Sequence, residues 1–142
     1  QPGPRTAEDQ ALLSAAAELL PQLRAAIDRQ AFHVGLTALW RVIADANVYV
    51  DRQAPWALRK SDPPRMRTVL YCLAEVIRHL GILAQPFMPA SAARLLAQLN
   101  VAEDHRSFAF LAPEHALQPD TALPAPAGVF PRYVEPADGA EA

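Results

Sequence analysis

The apolar residues between Asp62 and Pro89 leave that stretch little choice of conformation. Val69, Leu73, Val76, Leu80, Leu83 and Phe87 follow one another at alternating spacings of four and three, the repeat of one face of an α-helix. Asp62 stands where an N-cap would. Pro63-Pro64 fill the first turn, where a missing N–H costs nothing. Gln85-Pro86-Phe87-Met88-Pro89 stops the helix, and Pro89 opens a short one through Leu95, Leu96 and Leu99. A seam this regular needs other helices to pack against.

The N-terminal half supplies them. Residues 1–6 form a lead-in that ends on Thr6, a candidate N-cap, and Glu8 and Asp9 suit the positive end of a helix dipole. Leu12, Ala16, Leu19, Leu20, Leu23 and Ile27 then mark one helical face to about Arg29. Pro21 lies in phase within that stripe, so a kink near Leu20 is predicted rather than two separate helices. A second helix is predicted from about Ala31 to Asp51. It should bury Phe32, Leu36, Leu39, Trp40, Ile43 and Val50, with His33, Thr37, Arg41 and Asp45 as the polar stripe. The fold class expected is therefore all-α: an antiparallel helical bundle of three long helices and one short, over residues 7–100.

Beyond Asn100 the periodicity is lost and proline recurs. Residues 101–134 read as an extended Pro-rich C-terminal strap anchored by Phe108, Phe110, Leu111, Val129, Phe130 and Tyr133. Residues 135–142, with Glu135, Asp138 and Glu141 and no cation, read as a flexible acidic tail.

The chain has 142 residues, of which 51% are apolar, enough for one domain with a real core. No apolar run reaches membrane-spanning length and no signal peptide is visible. Cys72 is the single cysteine, which excludes an internal disulfide and a cysteine-based zinc site and fits a reducing, cytoplasmic setting. The first residue is Gln1, so a fragment of a longer protein is expected.

No catalytic set emerges. His33, His79, His105 and His115 lie on different elements, without the spacing of a metal pair on one helix face, and each reads as a surface or boundary residue. Cys72 lies mid-helix with nothing to lower its pKa, and reads as a structural thiol. His33-Val34-Gly35-Leu36 imitates the start of an ATP-binding His-x-Gly-His element, but it lacks the second histidine and falls inside an amphipathic helix. No metal ligands and no cofactor are expected of these residues.

Net charge is −2, yet Arg52, Arg59, Lys60, Arg65 and Arg67 face a single acid, Asp62, within a short span. Trp56 lies among them, directly after Ala54-Pro55, where proline should end the second helix. An aromatic plate at such a corner can be ordinary packing. It can also stack on a base while nearby cations hold phosphate. A helical protein-interaction module anchored by Trp56 is the other reading that the residues allow.

The stretch Ala46-Asn47-Val48-Tyr49-Val50-Asp51-Arg52-Gln53-Ala54-Pro55-Trp56-Ala57-Leu58-Arg59-Lys60, followed by Gln85-Pro86-Phe87-Met88-Pro89 and Val129-Phe130-Pro131-Arg132, resembles the C-terminal anticodon-binding domain of bacterial methionyl-tRNA synthetases. The likeness covers about residues 7–134. Related class I synthetases, for cysteine, leucine, isoleucine or valine, share the looser Asn-x-Tyr and Pro-Trp pattern. The resemblance implies that Trp56 stacks on the first anticodon base of methionine tRNA, with Pro55 setting its loop. Lys60 and Arg59 would lie by the anticodon backbone, and Asn47 and Gln53 would support the loop. It also implies a catalytic domain, absent here, that uses ATP to attach methionine. The strap would pack on the bundle or on that domain, and this fragment alone would be non-catalytic.

Overall fold

The computed structural model describes residues 1–130, so Tyr133 and the expected acidic tail lie outside the described residues. Six α-helices follow in order: α1 Ala7–Ala17, α2 Leu19–Asp28, α3 Phe32–Gln53, α4 Pro55–Ser61, α5 Pro63–Ala84 and α6 Pro89–Gln98. Three short 3₁₀ turns come after them, at Glu103–His105, Phe108–Leu111 and Pro113–His115. The all-α class holds.

Thr6 caps α1 as its sequence predicts. Its hydroxyl accepts from the Asp9 N–H while the Asp9 carboxylate accepts from the Thr6 N–H, a reciprocal capping box. The expected kink is a break instead. α1 and α2 are separate helices joined at Glu18 (φ −77°, ψ −7°), one turn before Pro21. Proline has no N–H for the carbonyl four residues back, so the ladder opens upstream of the ring. The apolar stripe still runs through the joint, burying Leu12, Ala16, Leu19 and Leu23, and then Ala26 in place of the exposed Ile27.

α2 turns into α3 through Gln30, whose φ is 58°. The Gln30 N–H donates to the Ile27 carbonyl and the Ala31 N–H to the Ala26 carbonyl, both at 2.8 Å, a Schellman close. Asn100 ends α6 in the same way, and Val101 behind it is buried.

α5 is the centre of the bundle. It packs on α1, α3, α4 and α6, so it is buried beyond its predicted seam. Thr68, Cys72 and Ile82 are enclosed along with Val69, Val76 and Leu83. Asp62 caps it by accepting from the Arg65 N–H at 3.0 Å. At Gly81 a Cβ would lie 2.9 Å from Leu96 Cδ2, so the missing side chain is what lets α6 approach.

α3 departs most from expectation. Its buried residues are Gly35, Leu39, Val42 and Tyr49, whereas Phe32 and Trp40 are 52% and 59% exposed. α3 carries apolar residues around more than half its circumference, so its neighbours select the face. Gly35 lies against Leu23 and Ala26 of α2, and that contact rotates Trp40 outward. Trp40 then joins Ile43, Asn47, Val50, Ile77 and Met88 along an apolar groove of about 680 Å³ between α3, α5 and α6.

Residues 101–117 lie across α5, but aromatic anchors do little of the holding. Phe108 is exposed, and so is Phe130. Leu111 packs on the core as expected, and polar side chains of α5 grip the strap backbone. Arg78, buried and paired with Glu75, donates to the Phe110 carbonyl. Glu75 accepts from the Leu117 N–H at 3.0 Å, and the Tyr71 hydroxyl donates to the Leu117 carbonyl at 2.8 Å. Extended chain has unpaired backbone groups that need such partners. His79 is buried rather than at the surface, its Nδ1 2.9 Å from the Glu75 carbonyl. His105 and His115 both pack on the Phe110 ring, at 4.5 and 4.6 Å between centroids.

Candidate nucleic-acid interface

Ala54 both ends α3 and begins α4. Its N–H donates to the Val50 carbonyl at 2.9 Å, and its own carbonyl accepts from Ala57 and Leu58. The residue is left-handed (φ 43°, ψ 61°), a conformation that costs a non-glycine residue about 1–2 kcal/mol. Pro55 follows at the first helical position, where its fixed φ suits the start of α4. Trp56 therefore sits in the first turn of a short helix, not in the loop its sequence suggests.

That placement orders the site. Pro55 is buried and Leu58 packs on the core, which turns the other side of α4 to solvent. Trp56 is 62% exposed. Arg59 and Lys60 follow at three and four residues, on the same helical face, and both are exposed. Of the other cations in the run, Arg52 and Arg67 are exposed but Arg65 points inward.

Arg65 meets Asp9, which is fully buried. Nη1 donates to Asp9 Oδ2 at 2.5 Å and Nη2 to Oδ1 at 2.7 Å. The Tyr49 hydroxyl donates to Oδ1 at 2.6 Å. Arg65 Nη2 also reaches Gln53 Oε1 at 2.7 Å, while Gln53 Nε2 donates to Glu8 Oε2 at 2.6 Å. Burial alone would raise the Asp9 carboxyl. The hydrogen bonds from Arg65, Tyr49 and the Thr6 backbone outweigh it and hold Asp9 well below the usual carboxylate range. Burial, and then the bond to Asp9, pushes the Tyr49 phenol up.

Of the two residues expected to support the loop, Gln53 lies in this network. Asn47 is elsewhere, exposed on α3 and lining the apolar groove. Sequence reasoning missed Asp9, Tyr49 and Arg65 as a unit. Asp9 reads there as a helix-dipole residue and Arg65 as one more surface cation. Among the described residues, no group of three or more His, Cys, Asp or Glu side chains is placed to hold a metal ion. No helix among them is long and apolar enough to cross a membrane.

Residues 1–138 match the family model described as the anticodon binding domain of methionyl tRNA ligase. The chain belongs to that family. The methionine–tRNA ligase of Mesorhizobium japonicum is 50% identical over 133 residues, 94% of this chain and 26% of that protein. The one from Brucella suis is 51% identical over 135 residues, 95% of this chain and again 26% of its own length. Among solved structures, the free-state Mycobacterium tuberculosis methionyl-tRNA synthetase superposes with a TM-score of 0.90 at 46% identity, covering 96% of this chain and 28% of that one. The same synthetase in complex with methionyl-adenylate gives 0.89 at 46% identity, over 93% of this chain and 26% of that one. The chain thus spans about a quarter of the length of these relatives. The family distinguishes it from the corresponding domains of the cysteine, leucine, isoleucine and valine enzymes, and from an unrelated helical interaction module.

Proposed function

We propose that this chain is the anticodon-reading part of a methionine–tRNA ligase. Trp56 stacks on the cytosine at the first anticodon position of methionine tRNA, Pro55 fixes the plate, and Arg59 and Lys60 contact the anticodon backbone. The observation that carries this reading is the exposed face of α4. It places an aromatic plate and two exposed cations together, in a chain of the anticodon-binding family. Stacking uses the π-face that every base has, and the cations add the sequence-independent attraction to phosphate.

These residues perform no bond chemistry. They contribute binding energy at one end of the tRNA, so that its acceptor end is delivered to a remote centre. In the full-length ligase that centre, outside residues 1–142, attaches methionine with ATP, in the cytoplasm. Residues 7–100 form the RNA-binding unit, and residues 101–117 lie across it as a strap. The test is binding of methionine tRNA by the full-length ligase with and without Trp56→Ala. A loss of about five- to a hundredfold is expected, equivalent to about 1–3 kcal/mol for one stacked base. Unchanged binding, with helical circular dichroism intact, would rule the stacking role out.

A further inference from the structure

α4 is short, and both of its ends are tied to the same buried carboxylate. On the upstream side, Tyr49 and Gln53 lie one turn apart at the end of α3. Tyr49 donates to Asp9, and Gln53 joins Arg65 to Glu8. On the downstream side, Arg65 in the first turn of α5 holds Asp9 through two hydrogen bonds. Gln53 and Arg65 meet across the twelve-residue separation that contains all of α4. The segment that carries Trp56 is therefore a loop closed at its base, with its feet pinned to the first turn of α1.

We infer that Gln53, with the Asp9–Arg65 pair behind it, is a positioning residue for anticodon binding, fixing the α3–α4 corner so that Trp56 is presented in its stacking orientation before RNA arrives. This rests on the stacking reading of Trp56. The physical need is specific. Trp56 is 62% exposed, so packing around its own ring covers only the smaller part of its surface. Within α4, Pro55 is buried and Leu58 packs on the core below it. Ala54 is left-handed without being glycine, a conformation that persists only where the surroundings over-determine it. An anchored corner supplies that, and a pre-oriented plate spares the complex the cost of ordering it on binding. Asp9 itself leaves no slack, since its two oxygens accept from Thr6, Tyr49 and both Arg65 nitrogens.

The test is a double-mutant cycle for methionine tRNA binding by the full-length ligase, with Gln53→Ala, Trp56→Ala and the pair. Gln53→Ala is expected to weaken binding about three- to tenfold when Trp56 is present. It should add nothing when Trp56 is already alanine. The exchange Glu8→Gln with Gln53→Glu keeps an acceptor for Arg65 and a donor–acceptor pair across the bridge, and should restore most of the affinity. A residue that only stabilises the fold would lower the melting temperature without producing this coupling. If Gln53→Ala leaves too little folded protein, Glu8→Ala opens the exposed end of the same bridge and runs the same cycle. Equal losses with and without Trp56, or no loss while Trp56→Ala alone weakens binding, overturn the inference and leave the stacking role standing. No loss on Trp56→Ala overturns both.

Discussion

Trp56 owes its exposure to two uncharged neighbours. Ala54 reverses the chain by adopting a left-handed backbone, and Pro55 starts a new helix at once. Side chains three and four residues on then share the face of Trp56, so Arg59 and Lys60 belong with it for a geometric reason. Cys72 shows the opposite use of a single residue. It is enclosed in α5, and burial, then the nearby negative charge of Asp9, pushes its thiol up to about 11. At pH 8 the native chain should therefore react with a thiol reagent at least a hundredfold more slowly than the same chain unfolded in denaturant. Comparable rates would mean that α5 opens locally.

At the scale of the element, α3 is the informative case, because two apolar stripes compete on one helix. Packing against α2 through Gly35 buries Leu39 and leaves Trp40 in the groove. Leu39→Ala should cost about 3 kcal/mol in urea unfolding, from lost burial and a residual cavity. Trp40→Ala should cost less than about 1 kcal/mol, since most of that ring is already in water. A loss at Trp40 as large as that at Leu39 would restore the face that periodicity alone predicts, on which both are buried. α5 offers a second comparison. Replacing Gly81 with valine drives a branched side chain into Leu96, and a loss of about 2 kcal/mol or more is expected on thermal unfolding. Both experiments report on how helices meet, not on whether they form.

At the scale of the whole molecule, one carboxylate ties three helices together. Asp9 joins α1, α3 and α5, so removing its charge leaves Arg65 without its partner. Asp9→Asn should lower stability at pH 7 by about 3 kcal/mol. The folded-state pKa of Asp9 lies below its unfolded value of about 3.9. Its stabilisation is thus complete above about pH 5 and is lost as pH falls through 4 toward the folded value. The gap between wild type and Asp9→Asn should therefore narrow steadily in unfolding experiments taken from pH 5 to pH 2. A gap that stays constant with pH would assign the loss to packing and not to the ion pair.

The amino-acid order by itself determined what depends on near neighbours. The Thr6 and Asp62 caps, the stop at Pro86 and Pro89, the seam of α5 and the helical class are local, because each follows from spacing and from the chemistry of a few adjacent residues. The Pro-Trp corner with cations close behind it was legible for the same reason. Tertiary structure decided everything that needed a partner distant in the chain. It chose which stripe of α3 is buried, divided the basic run into exposed Arg59 and Lys60 and inward Arg65, and added polar side chains of α5 to Leu111 as anchors of the strap. Asp9 and Arg65 are 56 residues apart. No periodicity marks such a pair, since only folding brings the N-terminal ends of α1 and α5 close enough for the Asp9 carboxylate to accept from Arg65.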